Sequence, residues 1–200
     1  MRNEKLKKMI LTGLMAALSF VAFAYLKINI PIGDSSTALH VGNAFCVLAA
    51  LILGGGYGGL AGAIGLSFAD LISPAYITSA PKTFLMKLAI GLVVGLVAHR
   101  LGHITEPGKS KKAVFRWTLL SCLAGFGFNV VVDPVVGYFY KRFILGIDAS
   151  SAKILATMGA TATLVNAVVS TVLVCTVYTL LRPALSRMDM LFEISPKKKK

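Results

Sequence analysis

Acidic side chains are scarce in this sequence, which has only eight Asp and Glu residues among 200. All charged residues together make up 14% of the chain, whereas about 25% is usual for a soluble domain. So few charges cannot cover a water-facing surface. The hydrophobic content of 56% and the mean hydropathy of +0.76 instead predict an integral membrane protein with one domain over residues 1–200.

Cysteine is rare as well, and Cys46, Cys122 and Cys175 all lie in apolar stretches. None belongs to a CxxC pair or has a histidine at ligand spacing, so the sequence indicates neither a disulfide nor a metal site. It also lacks GxSxG, HExxH and the acidic clusters of metal-dependent phosphotransferases. We therefore expect no catalytic residues, no metal and no cofactor in this chain, and we expect that it is not an enzyme.

The net charge of +13 comes mostly from short basic runs between long apolar segments. A nucleic-acid-binding protein needs a basic face, which these runs do not form, so we expect no nucleic-acid partner.

Six apolar segments, each bounded by charge, proline or glycine, predict six membrane-spanning helices. About 20 apolar residues are needed to cross the hydrocarbon core as a helix, so the second and third segments are short. β-Barrel strands would alternate in polarity, and these segments do not. The predicted fold class is therefore an all-α membrane protein, with spans at about residues 9–28, 39–53, 58–72, 83–101, 113–138 and 153–181.

Basic residues concentrate in the N-terminal tail, in the connection between the fourth and fifth spans, and in the C-terminal tail. Six spans place these three segments on the same side of the membrane, and the positive-inside rule makes that side cytoplasmic. We predict a multi-pass protein of the prokaryotic cell membrane, in contact with the lipid bilayer and with both termini in the cytoplasm.

The stretch LILGGGYGGLAGAIG, residues 51–65, holds seven glycines. A phosphate-binding loop would need GxxxxGK[ST], and this stretch has no lysine. We predict a tight turn at Gly54–Tyr57, since glycine allows the positive φ angles of a reversal. Small residues four apart beyond the turn let helices pack closely in lipid. The predicted glycine seam comprises Gly55, Gly58, Gly59 and Gly62.

Each polar side chain inside a span raises the free energy of membrane insertion by about a few kcal/mol, so each one is a candidate for function. In the predicted orientation six of them, from spans 2 to 5, lie in the outer halves, and Asn166 lies near the midplane. Their similar depth predicts a pocket reached from outside. The candidate substrate-binding residues are His40, Asn43, Asp70, Lys87, Asn129, Asp133, Asn166 and, from the outer aromatic belt, Tyr138.

Some of these positions have alternative interpretations. A structural ion pair between Lys87 and Asp133 is an equal alternative to ligand binding, because buried charges usually find partners. Asp70 falls near the end of its span, within reach of interfacial water. The spacing of His40 and Asn43 predicts that they share a helix face. His99, beside the basic connection, is expected to be solvated.

A stripe of small residues runs along the first span, as Gly13 with Ala17 or Thr12 with Ala16. Such a stripe lets helices approach closely. It serves either internal packing or the docking of another protein's helices.

These motifs resemble those of a known family. The pattern HVGNAF…LGGGYGGLAGAIG…AD, followed by the lysine of the fourth span, is similar to the substrate-binding (S) components of energy-coupling factor (ECF) transporters. The similarity is to the branch labelled riboflavin-type. It covers most of the chain, including LTGLMAALSF in the first span and TFLMKLAIGLVVGLVAHRL in the fourth.

The resemblance implies a six-helix subunit that works with a transmembrane T component and two ABC ATPases, which use the ATP. It implies docking on the T component through an AxxxA motif, which corresponds here to Gly13, Ala16 and Ala17. It also implies a substrate held in the outer half, under the connection between spans 1 and 2, and released inward when the whole subunit topples.

The expected function is therefore the capture of a water-soluble vitamin or precursor for an ATP-driven importer. A pocket with a lysine, aspartates, amides and a histidine suits a compact polar ring. This favours the B6 group or hydroxymethylpyrimidine, and leaves riboflavin and pantothenate open. The alternative is a self-sufficient secondary carrier or small channel for a polar solute, and a lipid-acting enzyme ranks third because no motif supports it.

Overall fold

The computed structural model describes residues 2–32, 35–106, 108–192 and 194. The described elements follow the order α1 (Arg2–Tyr25), β1 (Lys27–Ile32), β2 (Ser35–His40), α2 (Gly42–Leu53), α3 (Gly55–Leu71), α4 (Ala80–Gly95), α5 (Lys111–Phe139) and α6 (Ala149–Arg187). Short helical turns extend α4 at both ends, Ile77–Ser79 before it and Leu96–Leu101 after it, and Tyr140–Ile144 extends α5.

Among the described residues, four helical stretches are long and apolar enough to cross a membrane: Glu4–Tyr25, Ile77–Leu101, Lys111–Ile144 and Ala149–Arg187. α2, with 12 residues, and α3, with 17, fall short of the usual length. The prediction of a mainly helical membrane protein is confirmed. Six spans and cytoplasmic termini remain predictions.

A β-hairpin departs from the all-α prediction. β1 and β2 pair antiparallel, with Lys27 opposite His40. The first helix consequently ends at Tyr25 instead of residue 28, and the second begins at Gly42 instead of residue 39. Alternating isoleucines in KINIPI favour a strand, and Pro31 would disfavour a helix interior. His40 therefore lies on a strand, and the prediction that it shares a helix face with Asn43 is wrong.

Glycines set the distance between α2, α3 and α4. The predicted four-residue turn is shorter in the structure, where Gly54 alone separates α2 from α3 with φ = 87°. A Cβ on Gly58 would overlap the backbone of Ala50, and a Cβ on Gly91 would overlap the backbone of Gly59. The helices thus meet backbone to backbone, and the glycine seam extends from α3 to both α2 and α4.

Several contacts place the described parts of both chain ends and of the basic connection at one end of the helix bundle. Arg182, near the end of α6, donates to the Ile104 carbonyl of that connection at 3.0 Å. Ile194 packs over Gly54, and the Lys8 ammonium lies 4.9 Å from the centroid of the Phe192 ring. At the opposite end, the Tyr140 hydroxyl donates to the Thr78 carbonyl at 2.8 Å. The basic segments are therefore separated from the hairpin by the length of the bundle.

His99 is buried rather than solvated, with 1% of its surface exposed. Its Nε2 lies 3.1 Å from the Ala50 carbonyl oxygen, which also accepts from the Gly54 amide at 3.0 Å. This contact ties the end of α4 to the turn between α2 and α3. The expectation of a solvated histidine is wrong because His99 lies on the helical extension of α4, where its side chain contacts α2.

We expect Gly91→Ala to lower the thermal unfolding temperature in detergent. Its methyl would press on the backbone of Gly59, and overpacking typically costs about 1–3 kcal/mol. Gly127→Ala is the matched control, since no atom lies within 4 Å of its Cβ position and alanine favours a helix. Equal unfolding temperatures for the two variants would contradict the importance of the glycine seam.

Candidate substrate-binding site

A polar cavity of about 150 Å³ lies at the hairpin end of the bundle. An apolar cavity of about this volume accommodates one benzene ring, which sets the scale of a solute that fits. β2 and all six helices contribute to the walls. Seven of the eight predicted substrate-binding residues line it: His40, Asn43, Asp70, Lys87, Asn129, Asp133 and Asn166.

Helical periodicity brings the lining residues of each helix onto one face. α5 presents Asn129, Asp133 and Gly137 at intervals of one turn, and α4 presents Thr83 and Lys87 in the same way. The cavity is therefore built from regular secondary structure on these sides, which keeps the lining side chains well positioned.

Asp133 pairs with Lys82, which lies just before the predicted fourth span and was not among the predicted site residues. The Lys82 Nζ and Asp133 Oδ1 atoms are 2.9 Å apart, and both side chains are mostly buried. Lys87 is 9% exposed and has no carboxylate within 4.0 Å in the described part of the chain. The alternative of a Lys87–Asp133 ion pair is thus wrong, and the Lys87 ammonium group is available to a solute.

Asp70 is buried although it lies in the last turn of α3. Its carboxylate interacts with the Thr83 side chain of α4 and lies within electrostatic range of Lys87. The position near a helix end suggested contact with interfacial water, but the carboxylate lines the cavity instead.

Two buried asparagines offer amide oxygens to the cavity. Asn43 is 4% and Asn129 is 2% exposed, and neither Oδ1 atom has a hydrogen-bond partner among the described residues. Leaving a buried acceptor unsatisfied costs about 1–3 kcal/mol, and most buried polar atoms have a partner. A solute that donates to these two oxygens and accepts from Lys87 would satisfy all three groups.

Asn166 holds the hairpin through both ends of its side-chain amide. Its Nδ2 donates to the Ala38 carbonyl at 2.9 Å, and its Oδ1 accepts from the His40 amide at 2.9 Å. Both bonds are to the backbone of β2. Asn166 therefore positions the wall of the cavity, in addition to lining it.

The other strand is held by Lys27 and Tyr76. The Lys27 ammonium donates to the Ser73 hydroxyl at 3.2 Å and lies 4.6 Å from the Phe23 ring centroid. The Tyr76 hydroxyl donates to Asn29 Oδ1 at 3.0 Å. The hairpin is thus fastened to α1 and to the segment after α3, and the sequence analysis missed these contacts because they join separate connections.

Tyr138 is the predicted site residue that does not line the polar cavity. It lies in a separate, apolar groove of about 380 Å³ along α5 and α6, beside Val135 and Phe139. Its ring makes an edge contact with Phe139 at 5.4 Å between centroids.

The small-residue stripe of α1 is divided between two faces. Ala16 is buried, and its carbonyl oxygen packs so closely on Gly65 of α3 that no Cβ would fit there. Gly13 and Ala17 are exposed, and no atom lies within 4 Å of the Cβ position of Gly13. Docking remains a prediction, and the geometry leaves Gly13 and Ala17 accessible for it.

A family model described as "ECF-type riboflavin transporter, S component" matches residues 3–183. The chain belongs to this family. Relatives include UPF0397 proteins from Streptococcus agalactiae serotypes Ia, V and III, each 30% identical over 143 residues, or 71% of this chain and 76% of the relative. The S component family is a family of transporter subunits and not of enzymes, so the chain is a membrane substrate-binding subunit for vitamin uptake.

We expect Asn166→Ala to loosen β2. Losing a hydrogen bond worth about 1 kcal/mol should speed amide hydrogen exchange at His40 by roughly fivefold. Hydrogen–deuterium exchange of peptides that cover β2 measures this. Thr171→Ala is the matched control, because the Thr171 hydroxyl bonds only to Ala167 of its own helix. Equal protection of β2 in the two variants would contradict the positioning role of Asn166.

Proposed function

We propose that this S component captures a water-soluble vitamin or precursor with a single ring, from the outside of the cell membrane. It delivers the compound inward together with a T component and two ABC ATPases. The observation that carries the proposal is the cavity, where two asparagine oxygens lie buried without hydrogen-bond partners among the described residues, beside Lys87, which is buried and has no carboxylate within 4.0 Å there. Burying such groups in a membrane protein raises its free energy unless a solute forms hydrogen bonds with them.

The size and chemistry of the cavity favour a small heteroaromatic compound. About 150 Å³ suits one ring with small substituents better than the three fused rings of riboflavin. Ring hydroxyl or amino groups would donate to Asn43 and Asn129, and a ring substituent would accept from Lys87. Asp70 would accept from a ring N–H or an amine. The B6 group and hydroxymethylpyrimidine have this combination of donors and acceptors.

The hairpin end of the bundle faces outward in this proposal. The contacts separate the hairpin from the basic segments, and the positive-inside rule assigns those segments to the cytoplasm. A solute arriving from outside would therefore meet the cavity at the wall formed by β2. Asn166, Tyr76 and Lys27 set the position of that wall.

We expect Lys87→Met to lower the affinity for the vitamin by about tenfold or more, because it removes a buried charge-assisted hydrogen bond of about 1.5–3 kcal/mol. Methionine has a similar length, so the packing of α4 is retained. Lys153→Met, at an exposed position outside the cavity, is the control. Binding is measured with pyridoxine and hydroxymethylpyrimidine by equilibrium dialysis of the purified protein. Unchanged affinity in Lys87→Met would remove Lys87 from the site.

We expect the double variant Gly13→Leu/Ala17→Leu to lose co-purification with the T component and the ATPases but to retain vitamin binding. Bulky side chains on the exposed face of α1 would hold partner helices apart. Gly127→Leu, at another exposed helical glycine without neighbours at its Cβ position, is the control.

Intact assembly of the double variant would contradict docking through this stripe. Uptake into liposomes by this chain alone, driven by an ion gradient, would support the alternative of a self-sufficient carrier.

A further inference from the structure

The cavity carries more cationic than anionic side chains. Lys82, Lys87 and Lys141 line it together with Asp70 and Asp133. Lys82 and Asp133 form an ion pair at 2.9 Å, and no other pair of these five comes within 4.0 Å. If all five are charged, one positive charge is in excess. A partly buried ammonium group without a counter-ion loses hydration that nothing replaces.

Two of the lysines converge on one point of α5. A Cβ on Gly137 would lie 3.7 Å from the Lys82 Nζ and 3.8 Å from the Lys141 Nζ. Gly137 itself is buried and lines the cavity. The absence of a side chain there leaves a small space that faces two ammonium groups. Asp133, one turn earlier on α5, compensates Lys82, so Lys141, like Lys87, has no carboxylate within 4.0 Å among the cavity residues.

We infer that this space is an anion subsite, which binds a carboxylate or phosphate group of the substrate. The inference rests on the proposed function, because it adds a charged substituent to the ring that the rest of the cavity would hold. Gly137 lies eight residues after Asn129, or roughly 12 Å along α5. A ring with one charged substituent spans this distance when a hydrogen bond is allowed at each end.

The subsite selects an anion through charge and through shape. Hydrogen bonds between an ammonium group and an anionic oxygen are about twice as strong as neutral ones. A neutral hydroxyl at the same place would leave the charge of Lys141 uncompensated. A side chain at position 137 would occupy the space itself, because its Cβ would stand within van der Waals distance of both nitrogens.

The experiment compares ligands that share a ring and differ in charge. Pyridoxine, 4-pyridoxate and pyridoxine 5′-phosphate are neutral, carboxylated and phosphorylated versions of one pyridine, and none has an aldehyde that would react with lysines. Hydroxymethylpyrimidine and its phosphate form a second set. Equilibrium dialysis against the purified full chain should show an anionic compound that binds about tenfold more tightly than the neutral member of its set. If only the carboxylated or only the phosphorylated compound binds more tightly than the neutral one, that compound shows which group the subsite takes.

Two variants test the location of the subsite. Lys141→Gln and Gly137→Ala should each lower the affinity for the preferred anionic compound by about tenfold and change that for the neutral compound by less than about twofold. Gly137→Ala keeps every charge, and alanine stabilises a helix relative to glycine. Lys153→Gln, on an exposed lysine outside the cavity, controls for a general loss of positive charge and should leave both affinities unchanged.

Neutral compounds that bind as tightly as the anionic ones would overturn the inference and leave the proposed function standing. Equal losses for neutral and anionic compounds in Lys141→Gln and Gly137→Ala would also overturn it. If none of the five compounds binds, the single-ring substrate class of the proposed function fails together with the inference.

Discussion

Hydrocarbon offers no hydrogen-bond partners, so a protein that crosses a membrane must satisfy its polar side chains inside the molecule or with a bound solute. In this chain, polar side chains from α2 to α6 meet in one cavity at the hairpin end. Some of them satisfy one another, as Lys82 and Asp133 do. Others do not: the Oδ1 atoms of Asn43 and Asn129 lie buried without hydrogen-bond partners among the described residues, and the buried Lys87 forms no ion pair there. We expect this imbalance of a binding site rather than of a structural polar network.

The cavity exists because the packing of the bundle is uneven. The glycine seam brings α2, α3 and α4 into backbone contact, which leaves no space for a solute between them. On its other sides the cavity is bounded by β2 and by residues of α5 and α6. Asn166 links α6 to β2, so two of these walls are held together.

Much of the site could be predicted from the sequence, because residues one helical turn apart lie on the same face of a helix. Asn129 and Asp133 stand one turn apart in an apolar segment, and both line the cavity. Lys82 and Lys141 were missed because lysines are common in connections near a membrane surface. Only the fold shows in which direction their side chains point. The partner of Asp133 depends on the register between α4 and α5, which one sequence does not reveal. Most of the hairpin was taken for a connection, and residues 27–28 and 39–40 were given to the neighbouring helices, because the outer ends of the two strands continue the apolar segments on either side. His99 was misjudged because it adjoins a basic run.

Native mass spectrometry of the protein, purified in mild detergent from cells that supply vitamins and precursors, tests most directly whether the cavity captures a solute. The account predicts one small polar compound bound per chain in the unmodified protein and its loss in Lys87→Met, with both proteins folded. A protein that carries no bound compound under these conditions would contradict the account, and so would a compound retained equally by Lys87→Met.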